Sequence, residues 1–231
     1  MQSNTENSIK QTTITRRFDL IVWDWDGTLA NSTGMITEAF VSAATQVGLP
    51  KVPARNVTNI IGLGLKESIH AVYGNIAPEI AQKLAQQYSA NYYAGEQEIP
   101  LFAGAKQTII ALHRRGYKVA VATGKGRRGL NLALQHCGLT PYFHATRTVD
   151  ECHSKPHPQM LDELMEEFVV TSERTLMIGD TGYDMQMAAN ADVPAVAVTF
   201  GAHSREKLLS YNCIQMFNQF DDLSTWLLTN A

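Results

Sequence analysis

Phe18-Asp19-Leu20-Ile21-Val22-Trp23-Asp24-Trp25-Asp26-Gly27-Thr28-Leu29 is the stretch that decides how this chain folds. Phe18–Trp23 is an apolar run of strand length, the pattern of a strand covered on both faces. It runs straight into two carboxylates that bracket Trp25, so a buried strand carries acids at its end. Similar runs follow at Tyr117–Ala122, Thr175–Ile178 and Ala195–Thr199, and Cys213–Phe217 reads as a fifth. Helical patterns separate them at 104–115, 128–137 and Pro158–Phe168. In the last, Met160, Leu161, Leu164, Met165 and Phe168 mark one face and Pro158 suits the first turn. Strands alternating with helices predict an α/β fold built on a doubly wound parallel sheet.

Residues 34–99 interrupt this alternation. They read as helices with no obvious strand, at Met35–Gly48, Lys66–Tyr73 and Pro78–Tyr93. Gly48-Leu49-Pro50, Gly62-Leu63-Gly64 and Gly74 punctuate them. The expected organisation is therefore a mobile tail at 1–15, a Rossmann-like core at 16–33 and 100–231, and an inserted helical cap at 34–99. Its hinges would fall near Asn31–Gly34 and Ile99–Gly104.

Composition narrows the function class. The chain has 231 residues, 45% of them hydrophobic and 18% charged, as expected of a globular protein with a real core. A formal net charge of −3 offers no footprint for nucleic acid. Three cysteines, Cys137, Cys152 and Cys213, make no disulfide framework. The Cys-His-Ser-Lys-Pro-His stretch at 152–157 lacks the second ligand pair of a zinc site. The polar N-terminus has no signal-peptide run, and no segment approaches membrane-spanning length. These features predict a cytoplasmic monomer or homodimer that binds neither nucleic acid nor membrane.

Four groups stand near predicted strand or helix ends, where open α/β sheets bind ligands. They are Asp24 with Asp26, Thr123 with Gly124 and Lys125, Lys155, and Asp180 with Asp184. Carboxylates, a hydroxyl, a cation and free amides fit phosphoryl transfer assisted by Mg²⁺. A phosphate dianion repels a carboxylate nucleophile; two unit charges ~4 Å apart at an effective dielectric of ~20 cost about 4 kcal/mol. A hard divalent cation held by oxygens offsets that repulsion. An ammonium and main-chain amides take the remaining phosphoryl oxygens.

The order of these groups resembles the haloacid-dehalogenase-like phosphatases. Asp24-Trp25-Asp26-Gly27-Thr28-Leu29 looks like their opening DxDGT signature. Thr123 resembles the second motif, Lys155 in Lys-Pro-His-Pro the third, and Asp180/Asp184 in Gly-Asp-Thr-Gly-Tyr-Asp the fourth. The resemblance covers about residues 17–231. It implies that Asp24 attacks phosphorus and that Asp26 serves as general acid and base. It implies Mg²⁺ on Asp24, the Asp26 main chain, Asp180 and Asp184, and phosphoryl contacts from Thr123, Gly124 and Lys155. The helical block is similar to the cap of the phosphoglycolate phosphatase branch. Gly62, Gly64, Lys66 and Glu67 resemble that branch's substrate loop, with His70 and Tyr73 as further candidates. The implied substrate is a small phosphorylated metabolite such as phosphoglycolate, its carboxylate paired by Lys66.

Each residue also has an ordinary reading. Asp26-Gly27 makes a strand-ending turn, Thr123-Gly124 a helix cap, Lys155 a surface lysine, and Asp184 a helix N-terminal acid. Taken one at a time these are as good; they lose because all four would have to coincide in one order. A rival motif, Gly124-Lys125-Gly126-Arg127-Arg128-Gly129, matches a dinucleotide fingerprint of an NAD-binding oxidoreductase, with Asp150 at the expected interval. It is set aside because Asp150 follows Thr146-Arg147-Thr148-Val149, which is no convincing strand, and because five charged residues go unexplained. Signalling receiver domains carry their paired acids and phosphorylated aspartate on different strands, unlike Asp24 and Asp26. Phosphonate-cleaving relatives and dehalogenases lack the second acid. Sugar-phosphate mutases keep it and stand as the alternative.

Overall fold

The structure, a computed structural model, describes residues 16–95 and 99–231. The tail expected at 1–15 and the end of the helical block at 96–98 lie outside them. The chain begins with β1 (Leu20–Trp23), followed by four helices: α1 (Thr33–Gln46), α2 (Ala54–Thr58), α3 (Leu65–Tyr73) and α4 (Pro78–Gly95). Then come α5 (Ala105–Arg114), β2 (Lys118–Thr123), α6 (Arg127–Cys137), β3 (Ala145–Thr148) and α7 (Gln159–Phe168). The remainder is β4 (Thr175–Gly179), α8 (Gly182–Asn190), β5 (Ala195–Val198), α9 (Arg205–Leu208), β6 (Gln215–Phe217) and α10 (Phe220–Asn230).

All six strands are parallel, in the order β3-β2-β1-β4-β5-β6, so the predicted doubly wound, Rossmann-like sheet is present. Period-two alternation along β1 sorts its side chains between two cores. Ile21 and Trp23 pack with residues of α5, α6 and α10 on one face. Leu20 and Val22 pack with residues of α7 and α8 on the other. All four are fully buried, each contributing about 1.5–3 kcal/mol of transfer free energy for a side chain of its kind. The chain moves outward from β1 to β3, then returns across β1 to β4. Ligands of such sheets bind at the carboxyl ends beside that reversal.

The strand β3 is a correction to the sequence reading, which found no strand there. Ala-Thr-Arg-Thr is short, and it pairs with β2 on one side only. An edge position tolerates polar residues, so the apolar signal of a central strand is missing. Helices α2, α9 and α10 were likewise not picked out, and α8 (Gly182–Asn190) was signalled only by Asp184 as a helix N-terminal acid. Pro158 sits just before the first residue of α7, not inside its first turn.

No strand occurs among the described residues 33–95. Their helices share a separate apolar cluster built on Phe40, Ala43, Val57, Ile69 and Leu84. The chain leaves and re-enters the sheet layer side by side: Asn31 N–H donates to Pro100 O at 2.9 Å, and Phe102 N–H to Leu29 O at 2.9 Å. No helix among the described residues is long and apolar enough to cross a membrane.

Removing side-chain volume from either core should be costly. Leu164→Ala, at a fully buried position beneath the sheet, is expected to lower unfolding free energy by about 2–5 kcal/mol. Urea denaturation measures this; a loss well under 1 kcal/mol would contradict the packing.

Candidate active site

The site begins where β1 ends. Asp24 N–H donates to Ile178 O at 2.9 Å, carrying the β1–β4 ladder one residue past the strand. Leu29 and Ala30 N–H groups then close back on Trp25 O at 3.0 and 2.9 Å. Gly27 makes this turn at φ +87°, where a Cβ would run into the Asp180 carboxylate. Ser32 Oγ donates to Asp26 Oδ1 at 2.8 Å and so orients the second acid of the pair.

The end of β4 supplies the opposing acids. Asp180 Oδ1 accepts from Thr28 Oγ1 at 2.8 Å and its Oδ2 from Ala202 N–H at 2.6 Å. Asp184 lies in the first turn of α8, in a capping box with Thr181. Its Oδ2 accepts from Thr181 N–H at 3.0 Å and from Thr181 Oγ1 at 2.6 Å. The ordinary reading of Asp184 as a helix-terminal acid therefore holds for one of its oxygens. The other faces the cluster.

Lys155 joins the two sides. Its Nζ donates to Asp24 Oδ1 and to Asp184 Oδ1, both at 2.6 Å, with the side chain wholly buried. Asp24, Asp180 and Asp184 each present an oxygen within 4.8 Å of the others. One ammonium faces three buried carboxylates, so negative charge is in excess. Burial pushes the Asp24 carboxyl well above its usual range; Lys155 opposes this, and Asp184 and Asp180 add to it. Burial and the neighbouring Asp184 raise Asp180 to about 7. Burial alone would depress the Lys155 ammonium, but Asp184 and Asp24 outweigh it and hold the group above its usual value. Asp24 Oδ2 is buried with no hydrogen-bond partner. An all-oxygen donor set with surplus charge and an unpartnered carboxylate oxygen fits a hard divalent cation.

The end of β2 completes the floor. Thr123 Oγ1 accepts from Lys125 N–H at 3.1 Å. A Cβ at Gly124 would lie 2.5 Å from Gly62 O, so glycine there permits the close approach of the α2–α3 connection. Lys125 Nζ lies 3.3 Å from Asp26 Oδ2 and donates to Tyr92 Oη at 2.7 Å. Above these groups is a cavity of about 240 Å³, floored by Asp24, Asp26, Thr123 and Gly124. Residues of α1, the α2–α3 connection and α4 wall it.

Of the residues picked from sequence, Asp24, Asp26, Thr123, Gly124 and Gly62 line this cavity. Lys155, Asp180 and Asp184 meet Asp24 from behind the cavity floor. Gly64 is turned to the core, its N–H donating to Ser154 Oγ at 2.9 Å. Lys66, Glu67 and His70 are exposed on α3, and Tyr73 Oη donates to Pro50 O at 3.0 Å. None of these last five is among the cavity lining. The sequence reading grouped Lys125 with Thr123 and Gly124 but gave it no role, and it passed over Ser32 and the tyrosines of α4. Tyr88 and Tyr92 are four residues apart, a helical-face spacing that was there to be read.

Asp150 needs a second correction. It does follow a strand, β3, so that objection to a dinucleotide fingerprint falls. Its two carboxylate oxygens instead accept from Arg127 N–H at 3.0 and 2.9 Å, occupying the first amide of α6. Gly124 packs against the carbonyls of Gly62 and Leu63, and Asp150 is spent on the helix start instead of standing free for a ribose.

Paired acids, a buried lysine and two further acids thus meet at the switch point of a doubly wound sheet. Residues 21–198 match the family model described as haloacid dehalogenase-like hydrolase, and the chain belongs to that family. It is 31% identical over 196 residues to "Probable phosphatase IndB" of Dickeya dadantii, covering 82% of this chain and 84% of that one. It is 27% identical over 205 residues to "Pyrophosphatase PpaX" of Anoxybacillus flavithermus, covering 88% and 94%. Among solved structures, "a predicted phosphoglycolate phosphatase" from Haemophilus somnus superposes with a TM-score of 0.80 at 24% identity, covering 91% and 98%. At that identity the likeness speaks for the fold.

The raised Asp180 carboxyl has a thermodynamic consequence. Its unfolded value is ~3.9 and its folded value about 7, so the metal-free protein takes up a proton on folding between those limits. The contribution of Asp180 to stability in EDTA should be fully present below this window and be lost as pH rises through it. A divalent cation should then raise Tm more at pH 8 than at pH 5, and Asp180→Asn should flatten the pH slope. Thermal melts with and without EDTA measure this. A slope unchanged by Asp180→Asn would refute the assignment.

Proposed function

We propose that this chain is a Mg²⁺-dependent phosphatase that hydrolyses the phosphate monoester of a small molecule through an aspartyl-phosphate on Asp24. The observation that carries the reading is the state of Asp24. One of its oxygens is held by Lys155 at 2.6 Å, while the other is buried without a partner in the acid cluster behind the cavity floor. The metal would be held by the Asp24, Asp180 and Asp184 carboxylates and the Asp26 main-chain carbonyl. Bound there, it would offset the repulsion between a carboxylate nucleophile and a phosphate dianion.

The chain's own groups supply the rest. An Asp24 oxygen attacks phosphorus as the bond to the leaving alkoxide breaks. Asp26 gives that alkoxide its proton and then takes one from the attacking water, releasing inorganic phosphate and restoring Asp24. Ser32 and Lys125 hold the Asp26 carboxylate for both transfers. Thr123, the Gly124 amide and Lys155 receive the phosphoryl oxygens. Residues 34–99 act as a cap over the core formed by 16–33 and 100–231, excluding bulk water while the covalent intermediate stands. The printed names of the relatives, a phosphatase and a pyrophosphatase, support this class of reaction.

Phosphate release from a panel of esters tests the reading. Mg²⁺ should be required and EDTA should abolish turnover. Asp24→Asn should be inactive, and Asp26→Asn should lose ~10²–10⁴-fold in kcat, the usual contribution of proton transfer. Near-normal activity in Asp24→Asn would falsify the nucleophile assignment. Isomerised sugar phosphate without free phosphate would point to a mutase instead.

A further inference from the structure

The cavity above the acids divides sharply by chemistry. Its floor is charged, but its walls are apolar and aromatic, with Ile36, Phe40, Leu63, Tyr88, Tyr92 and Tyr93 among them. The rings form a connected surface. Phe40 meets Tyr88 edge-on at 6.0 Å between centroids, Tyr88 stacks on Tyr92 at 5.9 Å, and Tyr92 meets Tyr93 edge-on at 5.9 Å. Such surfaces favour a further flat ring in stacked or edge-on contact.

The distribution of positive charge says what the walls do not bind. Among the described residues Lys125 is the one basic side chain lining the cavity, and it is committed to Asp26 and to the Tyr92 hydroxyl. Lys66, which the sequence offered as partner for a substrate carboxylate, is exposed on α3 outside the lining. The remaining polar groups on the walls include Ser68 and Ser89, which are uncharged. A leaving group with its own carboxylate or second phosphate would be stripped of water beside apolar side chains without a cation to meet it, which is strongly disfavoured.

We propose that the substrate's leaving group is an uncharged, ring-bearing alcohol, seated against Tyr88 and Phe40 while its phosphate lies on the acids. The inference rests on the phosphatase reading above and adds the substrate class. The reaction is phosphate monoester plus water giving the ring-bearing alcohol plus inorganic phosphate.

The test compares benzyl phosphate, phosphoglycolate, glycerol 1-phosphate and inorganic pyrophosphate with the full chain and Mg²⁺. Benzyl phosphate and phosphoglycolate both release primary alkoxides, so their difference reports on the pocket rather than on leaving-group chemistry. Benzyl phosphate should exceed phosphoglycolate in kcat/KM by about tenfold or more, the scale at which an apolar pocket discriminates. Tyr88→Ala should shrink that ratio, chiefly through a higher KM for benzyl phosphate. Preference for phosphoglycolate, glycerol phosphate or pyrophosphate in the unmodified chain would overturn the ring pocket and leave the phosphatase reading standing. No phosphate from any of the four, in protein shown folded by circular dichroism, would overturn both.

Discussion

A buried ammonium held between two buried carboxylates, with a third alongside, is the arrangement on which the rest of this structure depends. Taking such ions out of water costs several kcal/mol each, and the cost is recovered only when every lone pair finds a partner. Here the partners come from four separate segments. Thr28 reaches Asp180 from the turn after β1, Ala202 reaches it from the loop after β5, and Thr181 secures Asp184 from the start of α8. Lys155 arrives from the segment before α7. These groups meet because β1 and β4 lie side by side where the sheet reverses direction. The excess negative charge that remains, together with the unpartnered oxygen of Asp24, is what makes the cluster suited to a cation rather than merely tolerant of burial.

A second junction ties the helical block to that cluster. Lys125 stands between Asp26 in the core and Tyr92 on α4, so the orientation of the acid is linked to the position of the helices above it. Close backbone contact at Gly124 brings the α2–α3 connection down on the same spot. Two chemistries thus meet in one cavity: the sheet provides charge and hydrogen bonds, and the helices provide apolar walls. The division follows from what each layer can offer. Strand ends expose polar groups at a reversal point, whereas a helix laid across them turns its apolar face inward.

Much of the sheet and of its candidate site was legible in advance because its signals are local. An apolar run ending in Asp-Trp-Asp-Gly-Thr states both a buried strand and what it carries, and Asp180 and Asp184 sit where the β4 pattern stops. The edge strand β3 escaped notice because Ala-Thr-Arg-Thr buries too little to require an apolar pattern. Asp150, at its end, could be assigned to a ribose or to a helix cap equally well until its carboxylate was seen on the Arg127 amide. Lys66 and Lys125 were both lysines near glycines in the sequence. Only the direction of α3 and the contact of the turn after β2 with α4 separate the exposed one from the one at the site.

The sequence by itself determined the sheet, its acids and the order of their appearance, since strand periodicity and turn chemistry act between residues a few positions apart. Tertiary structure alone decided which charges share one buried space, which lysine faces the cavity, and how apolar its walls are. Those properties depend on the distance and dielectric between segments up to 160 residues apart along the chain, such as Asp24 and Asp184. No local pattern encodes that separation, because it is set only when the two cores close on either face of the sheet.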